Sequence, residues 1–407
     1  MRTSIIISLM VAAFFLVSAI PGSEGDPCKP GDVSGNGMIN QTDAAMVADH
    51  LLERNILTSG PLTRAEANLD HIIDIADAVW TSDHVTTGLS EMISIPAGTF
   101  IMGARDDGDD ALYARPREAP RHPVTLSPYE IGRYQVTYDM YCRVINEALE
   151  TGLLENMSGE PYSGGDVYID GKLLLRIDSI PCMIEFEEGS FRLKSRDGFS
   201  MENHPVGWVS WHGSVAFCNW FSQEKGLAPV YDLSSWEVVD ADQATSGLQY
   251  FDGYRLPTEA EWERAAAWES ASGGKHWIYG YSSDDASSKS MNFGEHNPLG
   301  FSEHPYTSSV GYYDGFGFTN DSPSPVGCYD MSGNAWDWCN DWYDENYYQG
   351  GAMTDPTGPP TGERRVGRGG SWQIPGQYCR TAYRGHDVPW NTSSNIGFRL
   401  CRTPGEK

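Results

Sequence analysis

The C-terminal stretch, residues 365–401, constrains the fold of this chain more than any other segment. It reads RVGRGGSWQIPGQYCRTAYRGHDVPWNTSSNIGFRLC, and three short motifs follow one another in it, GGSW, CRTAYR and NIGFRLC. The whole chain has a matching composition, with 44 Gly, 13 Trp and 21 Tyr. Since glycine favours turns and aromatic side chains supply large buried surfaces, this composition predicts a loop-rich fold that is held by aromatic packing.

The length and the charge of the chain limit what it binds. A chain of 407 residues is long enough for a real core and predicts more than one domain. The 56 acidic residues outnumber the 28 basic residues, which gives a net charge of −28. Because an acidic surface repels phosphate groups, we expect neither nucleic acid nor an anionic membrane surface as a partner.

The first residues of the chain predict export. Arg2 precedes an apolar run from Ile5 to Ile20, and small residues follow, which is typical of a secretory signal peptide over residues 1–25. No later segment is long and apolar enough to span a membrane. We therefore expect a secreted protein, extracellular or periplasmic, after the signal peptide has been removed.

A short acidic segment, residues 31–52, has the spacing of an EF-hand-type calcium loop. Gly37 stands where such a loop needs a sharp turn, and a short amphipathic helix follows. The alternative is an acidic helical hairpin that holds no metal. The predicted ligands are the side chains of Asp32, Ser34, Asn36, Asn40 and Asp43 and the backbone carbonyl of Met38.

This segment resembles the repeat of a type I dockerin, a module that usually carries two such loops. The second copy, residues 67–80, is short and lacks the glycine, so the module is degenerate, with Asp70, Asp74 and Asp77 as its remaining acidic residues. We expect a small all-α, dockerin-like module over residues 26–88 that calcium orders. The resemblance implies a cohesin scaffold as its partner.

The remainder of the chain, residues 91–404, predicts short strands and capped helices. Alternating apolar residues around Pro96-Ala97-Gly98 predict two short strands and a turn. Residues 150–203 show no clear period and predict an insertion. Three N-caps predict helices, at Thr137, at Ser210 with Gly226 as the stop, and at Thr258, where Glu261 completes a capping box.

Four motifs in this remainder identify a family. RLPTEAEWE, GNAWDW, GGSW and GFR follow one another in this order, and together they resemble the formylglycine-generating enzyme, or sulfatase-modifying factor, family. The resemblance implies an α+β fold that is irregular, related to C-type lectins and poor in regular secondary structure. It also implies an oxidase, in which two thiolates bind copper, copper activates dioxygen, and a cysteine in a sulfatase-type peptide becomes an aldehyde.

The resemblance further implies structural calcium ions, bound by carboxylates and loop carbonyls. Calcium prefers such hard oxygen donors. The first implied set is Asn292, the carbonyl of Phe293, Asp314 and the carbonyl of Phe316. The second implied set is Asp330, the carbonyls of Gly333 and Ala335, and Asp337.

The copper site that the resemblance implies is incomplete in this sequence. The family keeps two cysteines between GGS and R-x-A-x-R, but the interval from Ser371 to Arg380 contains only Cys379. Counted forward from GGS, the first catalytic cysteine falls on Ile374; counted backward, neither cysteine has a match. A soft copper(I) ion needs soft ligands, so copper binding is doubtful. Ser371 and Trp336 match residues that line the family's active pocket.

Disulfide pairing is open for most of the eight cysteines, since exported cysteines tend to be oxidised but their pairing cannot be deduced from the sequence. The resemblance implies one bridge, between Cys218 and Cys401. Cys379 then has two alternatives. It pairs with Cys339, or it is a free reactive thiol that takes part in catalysis.

Two functions from different classes follow. The first is an exported, calcium-binding oxidase of cysteine in sulfatase-type peptides. The second is a non-catalytic, lectin-like module that binds a glycan or a peptide and is anchored through its dockerin in a polysaccharide-degrading system. The second would use an aromatic and polar face within the C-terminal stretch. That face consists of Trp372, Tyr378, Tyr383, His386 and Trp390; the alternative for these aromatic side chains is ordinary packing.

Overall fold

A computed structural model describes residues 91–404 apart from residues 180, 198, 240–247, 249–250, 271–273 and 316–318. The chain divides into two units, residues 1–88 with 195–201 and residues 89–194 with 202–407. The predicted signal peptide and dockerin-like module lie outside the described residues. The predicted ligands outside the described residues are Asp32, Ser34, Asn36, Met38, Asn40, Asp43 and Phe316.

Short elements separated by long loops make up the described chain. The helices are α1 Gly108–Tyr113, α2 Tyr138–Glu150, α3 Trp211–Glu224 and α4 Glu259–Ala267. The strands are β1 Met92–Ile95, β2 Gly98–Met102, β3 His122–Leu126, β4 Tyr129–Gly132, β5 Val167–Ile169, β6 Lys172–Leu175, β7 Ile184–Glu187, β8 Ser190–Leu193, β9 Ser195–Arg196, β10 Phe199–Ser200, β11 Tyr231–Asp232, β12 Glu237–Val238, β13 Trp268–Glu269, β14 Lys275–His276, β15 Trp336–Trp342, β16 Met353–Thr354, β17 Arg365–Arg368, β18 Gly385–Asp387, β19 Ile396–Gly397 and β20 Cys401–Arg402. This mixture of helices and strands confirms the predicted α+β class.

The three predicted caps begin three of the helices. Thr137, Ser210 and Thr258 each accept a hydrogen bond from the backbone N–H three residues later. At α4 the box is reciprocal, because the Glu261 carboxylate accepts from the N–H of Thr258 at 2.8 Å. These predictions are confirmed, since a cap depends only on residues within one turn of the chain.

The described strands form three sheets of three or four strands and several two-stranded hairpins. One sheet has the order β1-β4-β20, a second β16-β3-β2, and a third β18-β17-β15-β19. The predicted strands around Pro96-Ala97-Gly98 are present, but they pair with β4 and β3 rather than with each other. The predicted insertion contains the hairpins β5–β6 and β7–β8. None of the helices in the described ranges is long and apolar enough to cross a bilayer.

Buried ion pairs cross the core around α4. Four arginines, Arg255, Arg368, Arg380 and Arg399, are among the largest fully buried side chains. Each lies against at least one carboxylate, which offsets the cost of removing its charge from water. The apolar part of this core includes Phe100, Val124, Ile131, Trp262, Met331 and Val366.

Candidate functional site

The floor of the candidate site is the sheet β18-β17-β15-β19. Gly367 of β17 and Gly385 of β18 lie opposite each other in register. The ring of Trp336, the first residue of β15, lies against this pair. A Cβ atom on Gly385 would stand 2.7 Å from that ring, so the indole can pack closely on the sheet only because this residue is glycine.

A cavity of about 490 Å³ opens above this floor. Its volume is within the range of about 300–1,000 Å³ that is usual for small-molecule sites. Most of its lining comes from the C-terminal stretch, while one residue comes from the loop after α1. The polar and aromatic lining residues include Arg117, Trp336, Tyr383, His386, Asp387 and Asn395.

Tyr383 forms the aromatic wall of the cavity and is held from several sides. Its ring centroid lies 6.0 Å from that of Trp336 and 5.2 Å from that of Tyr378. Arg117 Nη2 donates to the Tyr383 hydroxyl at 2.8 Å, and its guanidinium carbon lies 5.0 Å from the ring centroid. These contacts fix the orientation of the tyrosine, so the wall is formed before any ligand arrives.

His386 and Asp387 form the polar side of the cavity. The His386 ring packs on Tyr343 with centroids 4.0 Å apart. Burial lowers the pKa of His386, and the charges of Arg117 and Arg364 lower it further, so the imidazole is neutral at pH 7. The carboxylate of Asp387 accepts hydrogen bonds within its own turn, from the N–H of Val388 and from Asn391 Nδ2.

Ser371 and Trp336, the residues that the resemblance places in an active pocket, are both hydrogen-bonded to Asn395 beside this cavity. Asn395 Nδ2 donates to the Ser371 hydroxyl at 3.3 Å, and the Asn395 carbonyl accepts from the N–H of Trp336 at 2.9 Å. Ser371 itself is fully buried. Trp336 therefore faces the cavity directly, whereas Ser371 acts on it only by positioning Asn395.

Cys379 lies in a different part of the fold. It is fully buried in an apolar and tyrosine-rich cluster with Tyr279 and Met291, and Ile374 packs against the same cluster. Burial raises the pKa of the Cys379 thiol to about 12, although backbone N–H groups of Ser371 and Gly333 approach the sulfur and act in the opposite direction. The thiol is thus protonated and does not line the cavity.

These residues do not fit a copper(I) ion. The position that would supply one thiolate holds Ile374, and the other candidate, Cys379, is a protonated thiol inside the packed cluster. In the described part of the chain, no group of three or more His, Cys, Asp or Glu side chains is placed to hold a metal ion.

The two predicted disulfides are not formed in this structure. Cys218 and Cys401 are both free and buried, and Cys401 Sγ lies 3.3 Å from Arg255 Nη1. Cys339 and Cys379 are also free, and they belong to two different core clusters. The thiols therefore serve as small apolar core residues here.

Within the first implied calcium set, the side chain of Asn292 fits a hard cation. Asn292 Nδ2 donates to the carbonyl of Tyr306 at 2.7 Å, but its side-chain oxygen is buried without a hydrogen-bond partner. An unpaired buried oxygen is costly unless a donor or a cation satisfies it. Asp314, of the same implied set, pairs with Asp321 in an isolated bridge.

The second implied set fits calcium less well. The Asp337 carboxylate already accepts from Trp262 Nε1, from Gln135 Nε2 and from Arg399 Nε, the last at 2.6 Å. Gln135 Nε2 also donates to the carbonyl of Ala335 at 2.6 Å. These donors occupy the oxygens that a cation would need. Asp337 serves as the buried counter-ion of Arg399.

The residues of the predicted ligand face differ in how far they are exposed to solvent. Trp372 is 0% exposed and packs against His304 and Tyr306, so its place on a ligand face was wrong. Trp390 is 60% exposed, whereas Tyr378, Tyr383 and His386 are half-buried. Of these residues, only Tyr383 and His386 line the cavity. Because this loop shows no helical or strand periodicity of apolar residues, the sequence does not indicate which tryptophan is buried.

Several residues of the cavity were missed by the sequence reasoning. Arg117 lies 266 positions before the tyrosine that it contacts, so no local pattern connects them. Gly367 and Gly385 could have been found from their Gly-rich context, because a conformational or close-packing reason usually underlies such positions. Asn395 could have been found from the NIGFRLC motif, which begins at this residue.

Comparisons with known proteins give two family matches. The model of the sulfatase-modifying factor enzyme 1-like domain matches residues 78–404. The model of the dockerin type I domain matches residues 30–84. The first match includes every residue of the cavity, and the second includes the predicted calcium loop.

Individual relatives are similar at moderate identity. The formylglycine-generating enzyme of Streptomyces coelicolor is 28% identical over 319 residues, which are 75% of this chain and 87% of that protein. The formylglycine-generating enzyme of Bos taurus is 27% identical over 330 residues, 76% of this chain and 74% of that protein. Among solved structures, Treponema denticola variable protein 1 is 25% identical, with a TM-score of 0.49, and the match covers 77% of this chain and 95% of that one.

Proposed function

Since this chain belongs to the family of the sulfatase-modifying factor enzyme 1-like domain and carries a dockerin type I domain, we propose that it is a non-catalytic, ligand-binding member of that family. The ligand is a glycan or a peptide that enters the cavity lined by Trp336 and Tyr383. One observation carries the proposal. Cys379, the one cysteine left in the catalytic interval, is a buried, protonated thiol outside this cavity.

The cavity supplies what a binding site needs without a reacting group. Its aromatic surfaces offer area for stacking, and the imidazole of His386 and the carboxylate of Asp387 offer hydrogen bonds. The signal peptide over residues 1–25 would export the protein. The dockerin would attach it to a cohesin scaffold, so that the cavity samples ligands released in a polysaccharide-degrading system.

A second candidate function is the oxidation of a cysteine peptide, which the similarity to the formylglycine-generating enzymes favours. The decisive experiment incubates the full exported chain with copper, oxygen and a peptide containing C-x-P-x-R, and then measures the peptide mass. The expected result is an unchanged mass. The Streptomyces coelicolor enzyme under the same conditions is the positive control, and an aldehyde mass produced by this chain would overturn the proposal.

Calcium is expected to stabilise both parts of the chain. In the family domain, Asn292 and Asp314 with the carbonyl of Phe293 would hold the ion, which would satisfy the buried oxygen of Asn292. Calcium at a hundredfold excess over its Kd should add about 2.7 kcal/mol to the free energy of unfolding. The measurement is thermal unfolding in calcium and in EDTA.

Two variants assign that calcium effect. Asp32→Ala with Asp43→Ala removes the dockerin contribution, and any remaining calcium shift then belongs to the family domain. Asn292→Val removes the unpaired oxygen and should abolish that remaining shift. If the shift survives this substitution undiminished, Asn292 is not a ligand.

A further inference from the structure

Arg117 faces the cavity without a carboxylate partner. It forms no ion pair within the described ranges, and its Nε is buried without a hydrogen-bond partner. The other two arginines near the cavity are paired, Arg384 with Glu259 and Arg364 with Asp387. In a chain with a net charge of −28, an uncompensated guanidinium at a cavity is a specific feature.

The positive charge of Arg117 reaches across the cavity. It contributes to lowering the pKa of His386, as does Arg364, although burial contributes most. The Nδ1 atom of His386 is buried and has no hydrogen-bond partner. The carboxylate of Asp387 acts on His386 in the opposite direction; its oxygens accept from its own turn, and its nearest cation is Arg364, at 3.9 Å.

The cavity also has the surfaces that suit a sugar ring. Trp336 and Tyr383 present aromatic groups whose centroids lie 6.0 Å apart at a tilt of 45°. Ser393 and Asn395 line the same cavity. The Ser393 hydroxyl donates to Asn395 Oδ1 at 2.6 Å, which leaves the serine oxygen to accept from a saccharide hydroxyl. Trp390, 60% exposed, lies in the turn in which the N–H of Asn391, a cavity residue, donates to the carbonyl of Val388.

We propose that the cavity selects an anionic saccharide, with the sugar ring on Trp336 and Tyr383 and its carboxylate or sulfate oxygens paired with Arg117. This inference rests on the proposed binding function and names its ligand class. A planar guanidinium is suited to the two oxygens of such a group. The imidazole of His386 lines the same cavity and would provide a second polar contact.

The test measures binding of short saccharides to the full-length protein in calcium by calorimetry. The probes are an oligogalacturonide, which carries carboxylates, a sulfated galactan oligosaccharide, which carries sulfates, and a neutral cello-oligosaccharide. We expect at least one anionic probe to bind about 10-fold or more tightly than the neutral one, since a hydrogen bond to a charged group has a large effect. The first two probes distinguish uronate from sulfate recognition.

Substitution of Arg117 assigns the preference. Arg117→Gln should weaken the anionic probe by about 10- to 100-fold and the neutral probe by a clearly smaller factor, since it also removes the contact that orients Tyr383, while Arg117→Lys should restore part of the loss. Arg192→Gln is the control, because Arg192 is a surface residue paired with Glu188. Near-ultraviolet circular dichroism confirms that each variant is folded.

The failure of this inference is distinct from the failure of the proposed function. Equal binding of neutral and anionic saccharides overturns the inference, as does preference for a poly-glutamate peptide, but both leave a binding function intact. Absence of binding to all saccharides also overturns it. Formation of the aldehyde on a C-x-P-x-R peptide would instead overturn the proposed function itself.

Discussion

Replacing Arg368 by methionine is expected to lower the free energy of unfolding by about 3–5 kcal/mol, the usual cost of breaking a buried ion pair from one side. Arg368 is 0% exposed, and it lies between Glu259, 3.2 Å from Nη1, and Glu263. Methionine fills much of the volume but leaves the buried carboxylate of Glu263 without its arginine, whereas Glu259 keeps Arg384 as a partner. Urea unfolding followed by circular dichroism measures the change.

The same cluster predicts how the protein responds to acid. Burial raises the pKa of Glu263, but the charge of Arg368 and the hydrogen bond from His276 outweigh burial and bring it to about 2, from an ordinary value of 4.5. A carboxyl group with a lowered pKa stabilises the folded state fully above its ordinary pKa. That contribution should therefore be lost as the pH falls from about 4.5 toward 2, and Arg368→Met should flatten this acid dependence.

A matched control separates burial from charge. Arg192→Met removes one arginine from an exposed pair with Glu188, four positions away on the surface, and should cost only about 0–1 kcal/mol. A double variant, Arg368→Met with Glu263→Gln, should cost less than the sum of the two single variants, because it removes both charges of one pair. A cost below 1 kcal/mol for Arg368→Met alone would contradict the role given to the buried pair.

What the sequence predicted well was local. The caps at Thr137, Ser210 and Thr258 each depend on contacts within four residues, and all three begin helices. The strand pairings were not accessible in this way, because β1 and β2 are neighbours in the chain but belong to different sheets. The partner of a short strand is decided by tertiary packing rather than by its own residues.

The C-terminal motifs predict the family of the chain but not its chemistry, because their arginines have structural partners. Their arginines reach carboxylates far away in the chain, Arg380 to Asp110 and Glu118, and Arg399 to Asp337. Loss of one of these arginines would leave a buried carboxylate uncompensated, whatever reaction the loop supports. The motifs thus specify the scaffold. The cavity depends on Arg117, which no motif includes.

Cys379 is expected to react with a thiol reagent at pH 8 about a thousandfold more slowly in the folded protein than after unfolding. The reactive species is the thiolate, and a free cysteine has a pKa of about 8.5. Burial raises the pKa of Cys379 to about 12, which lowers the thiolate fraction at pH 8 by about a thousandfold. The sulfur is also 0% exposed, so access to the reagent slows the reaction further.

Quenched labelling with mass spectrometry of the Cys379 peptide gives both rates, in the folded chain and in urea. Cys379→Ala provides the functional control: it should leave saccharide binding unchanged, since the side chain does not line the cavity, and cost stability through the space it vacates beside Gly370. Rapid labelling of Cys379 in the folded chain, with an apparent pKa near that of the free thiol, would contradict its burial. Loss of binding in the folded Cys379→Ala variant would show that this thiol belongs to the site, and the non-catalytic proposal would then lose the observation on which it rests.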